Sequence, residues 1–160
     1  MKKRVVTIAA VTLVTGGQGV LANMFEVLGK IQGSSFLVIQ AELSRRGGLE
    51  DDPIDVGRND RGDVIVLPRS ARARGAVVLD SIDARNARAI ATAADVFKRH
   101  YNADLRDYNI EVVRDGNSIV VIFLDKDREP GTRGSTGGRP GFEVELDARD
   151  FRVIRSNFLR

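Results

Sequence analysis

The sequence predicts an α+β protein in which one long amphipathic helix packs on a four-stranded antiparallel sheet. Three observations predict it. Ala87, Ile90, Ala91, Ala94, Phe97 and Tyr101 recur on one face of a helix over Ile82 to Tyr101, with Arg85, Arg88, Asp95, Lys98 and Arg99 mostly elsewhere. The runs 109–114 and 118–124 flank Asp115-Gly116-Asn117, whose Asp-Gly pair is a strong hairpin signal. Phe142-Glu143-Val144-Glu145-Leu146 alternates apolar and acidic residues, as a half-buried strand does.

In chain order, Lys2, Lys3 and Arg4 precede an apolar stretch, Val5 to Val14, broken only by Thr7 and Thr12. Val20 and Ala22 suit the −3 and −1 subsites of signal peptidase, so residues 1–22 read as a cleaved export signal. The expected location is periplasmic or secreted, without a stable membrane anchor after cleavage. The whole chain has 25 Lys+Arg against 22 Asp+Glu, and removing those three cations leaves 22 against 22. A neutral chain without a basic stripe interleaved with aromatics argues against nucleic acid as partner. No cysteine is present, which excludes disulfides, thiol catalysis and Cys-based zinc sites, and a single histidine excludes paired-imidazole metal sites.

A second reading treats Thr15-Gly16-Gly17-Gln18-Gly19 as the glycine turn of a short-chain-dehydrogenase-like NAD(P) site. There a helix N-terminus would hold a pyrophosphate, Phe36 to Gln40 would form a second strand and Glu42 would sit near a ribose.

Residues 23–79 are expected to form an irregular N-terminal region. Phe25, Leu28 and Ile31 have helical spacing, Phe36-Leu37-Val38-Ile39 reads as a strand, and Gly33-Ser34-Ser35 separates them. About 44–63 the composition turns polar and glycine-containing, as in a flexible linker. Glu50, Asp51, Asp52 and Asp55 lack the order of a calcium loop, and no cofactor or metal is expected. Val64 to Leu67 and Ala76 to Leu79 are candidate edge strands.

Residues 80–160 are expected to form the main domain. Asp80 or Ser81 is the predicted cap of the long helix, with Asp83 in its first turn. Ile119 to Leu124, six apolar residues in a row, predicts a central strand covered on both faces. Closing the last hairpin over Asp147 to Asp150 with Leu146 opposite Phe151 sets Glu145 opposite Arg152.

A helix followed by four sequential antiparallel strands buries its apolar stripe if the sheet curls around it. This order resembles the cystatin-like superfamily, which includes nuclear-transport-factor-like domains and several bacterial immunity proteins. The resemblance covers about residues 80–160 and is closest over Gly141 to Ser156. With the export signal, the absence of a catalytic set and the long Gly/Arg loop, it points to an exported, non-catalytic protein-binding or inhibitory module of the immunity-protein kind, which covers a protein partner's active cleft with a sheet face or the 126–140 loop. The alternative is a small pocket enzyme or ligand-binding domain using His100 as base, with Asp104 or Asp107 setting its tautomer. The segment Lys126 to Pro140 is glycine-rich and basic, and Lys126, Arg128, Arg133 and Arg139 are the candidate partner-binding residues.

Overall fold

The computed structural model describes residues 25–47, 53–128 and 138–159. The protein is α+β. Strands β1 (Glu26–Gln32), β5 (Tyr108–Asp115), β6 (Ser118–Asp125), β7 (Phe142–Asp147) and β8 (Val153–Phe158) form a five-stranded antiparallel sheet in the order β1-β5-β6-β7-β8. Strands β2 (Ile54–Arg58), β3 (Val64–Val66) and β4 (Val78–Ile82) form a second antiparallel sheet with β2 in the middle. Helices α1 (Gly33–Arg46), α2 (Arg69–Ala73) and α3 (Ala84–His100) complete the fold. The predicted signal residues 1–22 and the Thr15–Gly19 glycine turn lie outside the described residues.

The N-terminal stretch reverses both local readings. Phe25, Leu28 and Ile31 belong to a strand region, and Phe36 to Ile39 belong to a helix. The three-residue spacing has a cause: the β1–β5 register shifts between Val27 and Gly29, so a bulge at Leu28 brings Leu28 and Ile31 to the same core. The run Phe36-Leu37-Val38-Ile39 is too short to decide between periods. In α1 its fully buried members are Phe36 and Ile39, three apart, with Leu43 partly buried beyond them. Gly33 opens this helix because a Cβ there would lie 1.8 Å from the Leu105 carbonyl oxygen. Gly47 closes it at φ 74°, donating its N–H to the Leu43 carbonyl at 3.0 Å.

The stretch expected to be a linker contains β2, whose Ile54, Asp55, Val56 and Gly57 are all buried. A polar, glycine-containing sequence forms a central strand here because its liabilities are met from elsewhere in the chain. Asp55 accepts the Ser81 hydroxyl at 2.7 Å, and a Cβ on Gly57 would lie 2.5 Å from the Val77 carbonyl oxygen. β3 and β4 are the edges of this sheet; β3 lies within the expected run Val64 to Leu67, whereas β4 overlaps Ala76 to Leu79 only at Val78 and Leu79 and runs on to Ile82, which was expected to begin the helix. Asn59 shapes the β2–β3 turn by accepting the N–H groups of Arg61 and Asp63, each at 2.9 Å.

The cap of the long helix is Asp83, not Asp80 or Ser81, which lie in β4. Asp83 accepts the Asn86 N–H at 2.7 Å, while Asp80 accepts the Ser35 hydroxyl from α1 and Ser81 is engaged with Asp55. The predicted face is buried: Ala87, Ile90, Ala94 and Phe97 are all inaccessible, as are Ala89 and Ala93. Phe97 is the centre of the core, with ring centroids 4.8 Å from Phe142, 4.9 Å from Phe123 and 5.2 Å from Tyr108. Residues of both sheets, α1 and α3 form one continuous apolar cluster.

The β5–β6 hairpin follows its signal. Asp115 pairs with Ser118 across Gly116-Asn117, and Gly116 takes φ 57°, the positive angle that a type II′ turn needs at its first position. The final hairpin departs from expectation. Leu146 faces Val153 and Glu145 faces Arg155, not Phe151 and Arg152. The turn is longer than the tight closure assumed: Phe151 sits in the left-handed region at φ 59°, donating to the Asp147 carbonyl, and the register then shifts by one more residue. Arg85 holds this turn by donating to the Ala148 carbonyl and lying over the Phe151 ring.

Candidate partner-binding surface

Central strand β6 alternates buried and half-buried residues, so it is not covered on both faces as expected. Ile119, Val121 and Phe123 enter the core, whereas Val120, Ile122 and Leu124 lie on the outer face and stay half-exposed. Helices α1 and α3 both bury their apolar residues in the core cluster on the opposite side. Register places the neighbours of this apolar spine. One row across the sheet runs Lys30, Glu111, Ile122, Glu143, Asn157, and another runs Val113, Val120, Glu145, Arg155.

The polar residues of the face are held by one another. Lys30 pairs with Glu111 at 2.5 Å, Asn157 donates to Glu143 at 3.4 Å, and Arg155 pairs with Glu145. Hydrogen bonds from Arg155 and then from Ser118 hold the Glu145 carboxyl below its ordinary range, against a smaller desolvation effect. The face therefore offers an apolar strip bordered by three fixed carboxylates, Glu111, Glu143 and Glu145, against two cations, Lys30 and Arg155. Sequence reasoning named the sheet face without its residues. The available signal was the apolar run Ile119 to Leu124 within β6, beside a strand β7 that alternates with acids.

The predicted binding residues sit at the base of the β6–β7 connection. Lys126 pairs with Asp107 at 3.0 Å, and Arg139 reaches Asp125 at 2.8 Å, Asp127 at 2.9 Å and Asp107 at 3.6 Å. The Arg128 backbone N–H donates to the Asp125 carbonyl at 3.1 Å, and Arg133 lies outside the described residues. Hydrogen bonds donated to Asp127 and Asp125 raise the Arg139 pKa further above its already high value. Three carboxylates surround two cations here, so Lys126 and Arg139 brace the ends of β6 and β7 rather than projecting unpaired charge. Beside this cluster Tyr108 is buried and its hydroxyl has no hydrogen-bond partner among the described residues. Burial pushes its pKa up to about 12, with smaller contributions from Tyr101 and Asp125.

His100 is exposed at the end of α3, its ring 5.6 Å from Phe142. Neither expected carboxylate is aimed at it: Asp104 caps the turn Leu105–Asp107 and binds Arg106, and Asp107 binds Lys126 and Arg139. The space between α3 and the sheet, where a base would need a pocket, is filled by Phe97, Tyr108, Phe123 and Phe142. The dehydrogenase reading also fails among the described residues. Both sheets are antiparallel, Phe36 to Gln40 is helical, and Glu42 pairs with Arg45 and Arg46. Of the acids considered for calcium, Glu50, Asp51 and Asp52 lie outside the described residues and Asp55 is buried against Ser81.

A shallow cavity of about 610 Å³ opens between α1 and β3, lined by Leu37, Val38, Ala41, Ile65 and Val66 with Glu42, Arg45 and Arg106 at its rim. Among the described residues no cluster of acids and histidine has the arrangement of a metal site, and no helix is long and apolar enough to cross a membrane. Comparison with protein-family models, with curated proteins and with solved structures returned no match.

Proposed function

We propose that this chain is an exported, non-catalytic protein-binding module that acts by covering a partner's functional surface with the outer face of its five-stranded sheet. The observation that carries this reading is the half-exposed spine Val120-Ile122-Leu124, flanked by ion-paired carboxylates and left uncovered by α1 and α3. A partner suited to it presents apolar side chains bordered by Lys or Arg. The pairing of Lys126 and Arg139 within the chain favours the sheet face over the 126–140 segment as the principal contact. The cystatin-like resemblance is supported by topology: β1 joins the sheet beside β5, so a strand, a long helix and four sequential strands make one sheet in the order β1-β5-β6-β7-β8. On this reading α1, β2, β3, α2 and β4 are an insertion between the first strand and the helix, and an inhibitor of the immunity-protein kind is the matching role.

The test is affinity capture from the compartment to which the protein is exported, with mass spectrometry of the captured chain and of any partner. A mature N-terminus at Asn23 is expected. Ile122→Arg, which adds charge to a half-buried position on the outer face and leaves the core residues in place, should abolish capture of a partner held by the wild type. Arg139→Gln should retain it. Loss with Arg139→Gln alone would transfer the contact to the 126–140 segment, and no partner with either form would overturn the proposal.

A further inference from the structure

The five-stranded sheet ends on an edge that suits a second copy of itself. β8 hydrogen-bonds only to β7 among the described residues. In an antiparallel ladder alternate residues direct both backbone groups to the same side. Leu159 donates to the Gly141 carbonyl at 2.8 Å, and the register pairs Asn157 with Glu143 and Arg155 with Glu145. Leu159, Asn157 and Arg155 therefore point their N–H and C=O groups at β7. Ser156 and Phe158 present theirs at the free edge, and Ile154 before them is the extra residue of the bulge where the register shifts between Glu145 and Leu146. The same edge carries exposed apolar side chains: Val153 at 39 %, Ile154 at 50 % and Phe158 at 44 %. Such an edge is a template for strand addition unless a device blocks it. β8 has no proline, its bulge at Ile154 precedes the regular segment Arg155 to Phe158, and its one cation, Arg155, is turned to the outer face by Glu145.

We infer that two copies of this chain associate through β8, antiparallel about a two-fold axis at Ser156, to give a continuous ten-stranded sheet. Register selects this arrangement. Centred on Ser156, the pairing sets Ile154 opposite Phe158 of the second copy and Arg155 opposite its Asn157, so exposed apolar groups cover each other and no like charges meet. Ser156, whose backbone groups are free, then faces its own counterpart across the axis, and Phe158 faces the bulged Ile154. Shifting by one ladder step toward Ile154 opposes Arg155 to Arg155, which is destabilising. Shifting the other way sets Ser156 against Phe158 and leaves Ile154 uncovered. A contact of one short strand is smaller than a standard stable interface, so the dimer dissociates on dilution. It would also set two outer faces side by side, giving a protein-binding module two equivalent contacts.

Because the chain has no cysteine, Ser156→Cys introduces a unique thiol. On the axis the two Cα atoms would be about 5.5 Å apart, within disulfide range. Oxidation should convert the full chain to a covalent dimer, whereas Lys98→Cys, on the exposed side of α3, should stay monomeric. Sedimentation velocity across concentrations should show wild type passing from monomer to dimer. Asn157→Arg is the informative variant, because the new guanidinium gains Glu143 as a partner within its own chain while facing Arg155 of the second copy. It should weaken the dimer at least about fivefold with no loss of thermal stability. A wild type monomeric at all concentrations, a Ser156→Cys chain that cross-links no better than Lys98→Cys, or a dimer unaffected by Asn157→Arg would each overturn the inference.

Discussion

In the five-stranded sheet, β6 and β7 bring an apolar residue to every core position: Ile119, Val121 and Phe123, then Phe142, Val144 and Leu146. At the centre of the three-stranded sheet, β2 manages with Ile54, Asp55, Val56 and Gly57. Both strands are buried, yet they are buried for different reasons. β6 and β7 carry their own driving force, since each fully buried aliphatic or aromatic side chain contributes about 1.5–3 kcal/mol. β2 depends on partners far along the chain: Ser81 satisfies Asp55, and the absence of a side chain at Gly57 admits the Val77 carbonyl. A strand of the first kind announces itself locally, and one of the second kind exists only because the fold around it does.

The sharpest challenge to this contrast is whether the two sheets unfold together. Phe97→Ala should destabilise by about 3–5 kcal/mol and Ile54→Ala by about 2–5 kcal/mol, through lost burial and the cavities left. Both residues belong to one apolar cluster, so both variants should lower the same denaturation midpoint. The chain has no tryptophan, and its two tyrosines, Tyr101 and Tyr108, sit beside Phe97. Tyrosine fluorescence therefore reports on the large sheet alone. Should Ile54→Ala leave that transition in place while shifting circular dichroism, the small sheet would be an independent unit.

A smaller effect is expected at the junction of the two sheets. Asp83 follows β4, caps α3 through the Asn86 N–H, and accepts the Asn86 side chain at 2.7 Å. Asp83→Ala should cost about 1 kcal/mol in chemical denaturation, the usual loss for a helix cap. Asp83→Asn, which keeps an acceptor oxygen, should recover most of it.

The smallest change has the opposite sign. Tyr108 buries a hydroxyl without a partner among the described residues, so Tyr108→Phe should stabilise the protein by about 1 kcal/mol, measured by chemical denaturation at pH 7. Its raised pKa adds a pH dependence. Folding holds the phenol neutral up to about 12, whereas in the unfolded chain it ionises near 10. Its contribution is therefore intact below about pH 10 and is lost as pH rises from there toward 12. The Tyr108→Phe variant should show a shallower decline over that window, and an identical decline would mean the hydroxyl is not isolated.

What could be read locally was read correctly where the period was undisturbed. Ala87, Ile90, Ala94 and Phe97 line the buried face of α3, and Phe142, Val144 and Leu146 enter the core from β7. Readings failed where one residue changed the period. The bulge at Leu28 gave β1 a helical spacing, and Phe151 in a left-handed conformation displaced the register that would have joined Glu145 to Arg152. The candidate surface was legible only as a class. That Ile119 to Leu124 is apolar throughout is written in the chain, but whether Val120, Ile122 and Leu124 are covered depends on which side the helices take.

By itself, the sequence determined an α+β chain with a long packing helix, a hairpin over Asp115-Gly116-Asn117 and the inward set of β7, because each rests on a periodicity or turn chemistry confined to a few neighbouring residues. Tertiary structure alone decided the rest. It made 33–46 a helix and 54–58 a strand, moved the cap of α3 to Asp83, paired Lys126 and Arg139 with acids, and left the outer residues of β6 half-buried among the described residues. The physical reason is common to all of these. A polar side chain or a short apolar run has several local solutions of nearly equal energy, and the partner that separates them arrives from a distant part of the chain.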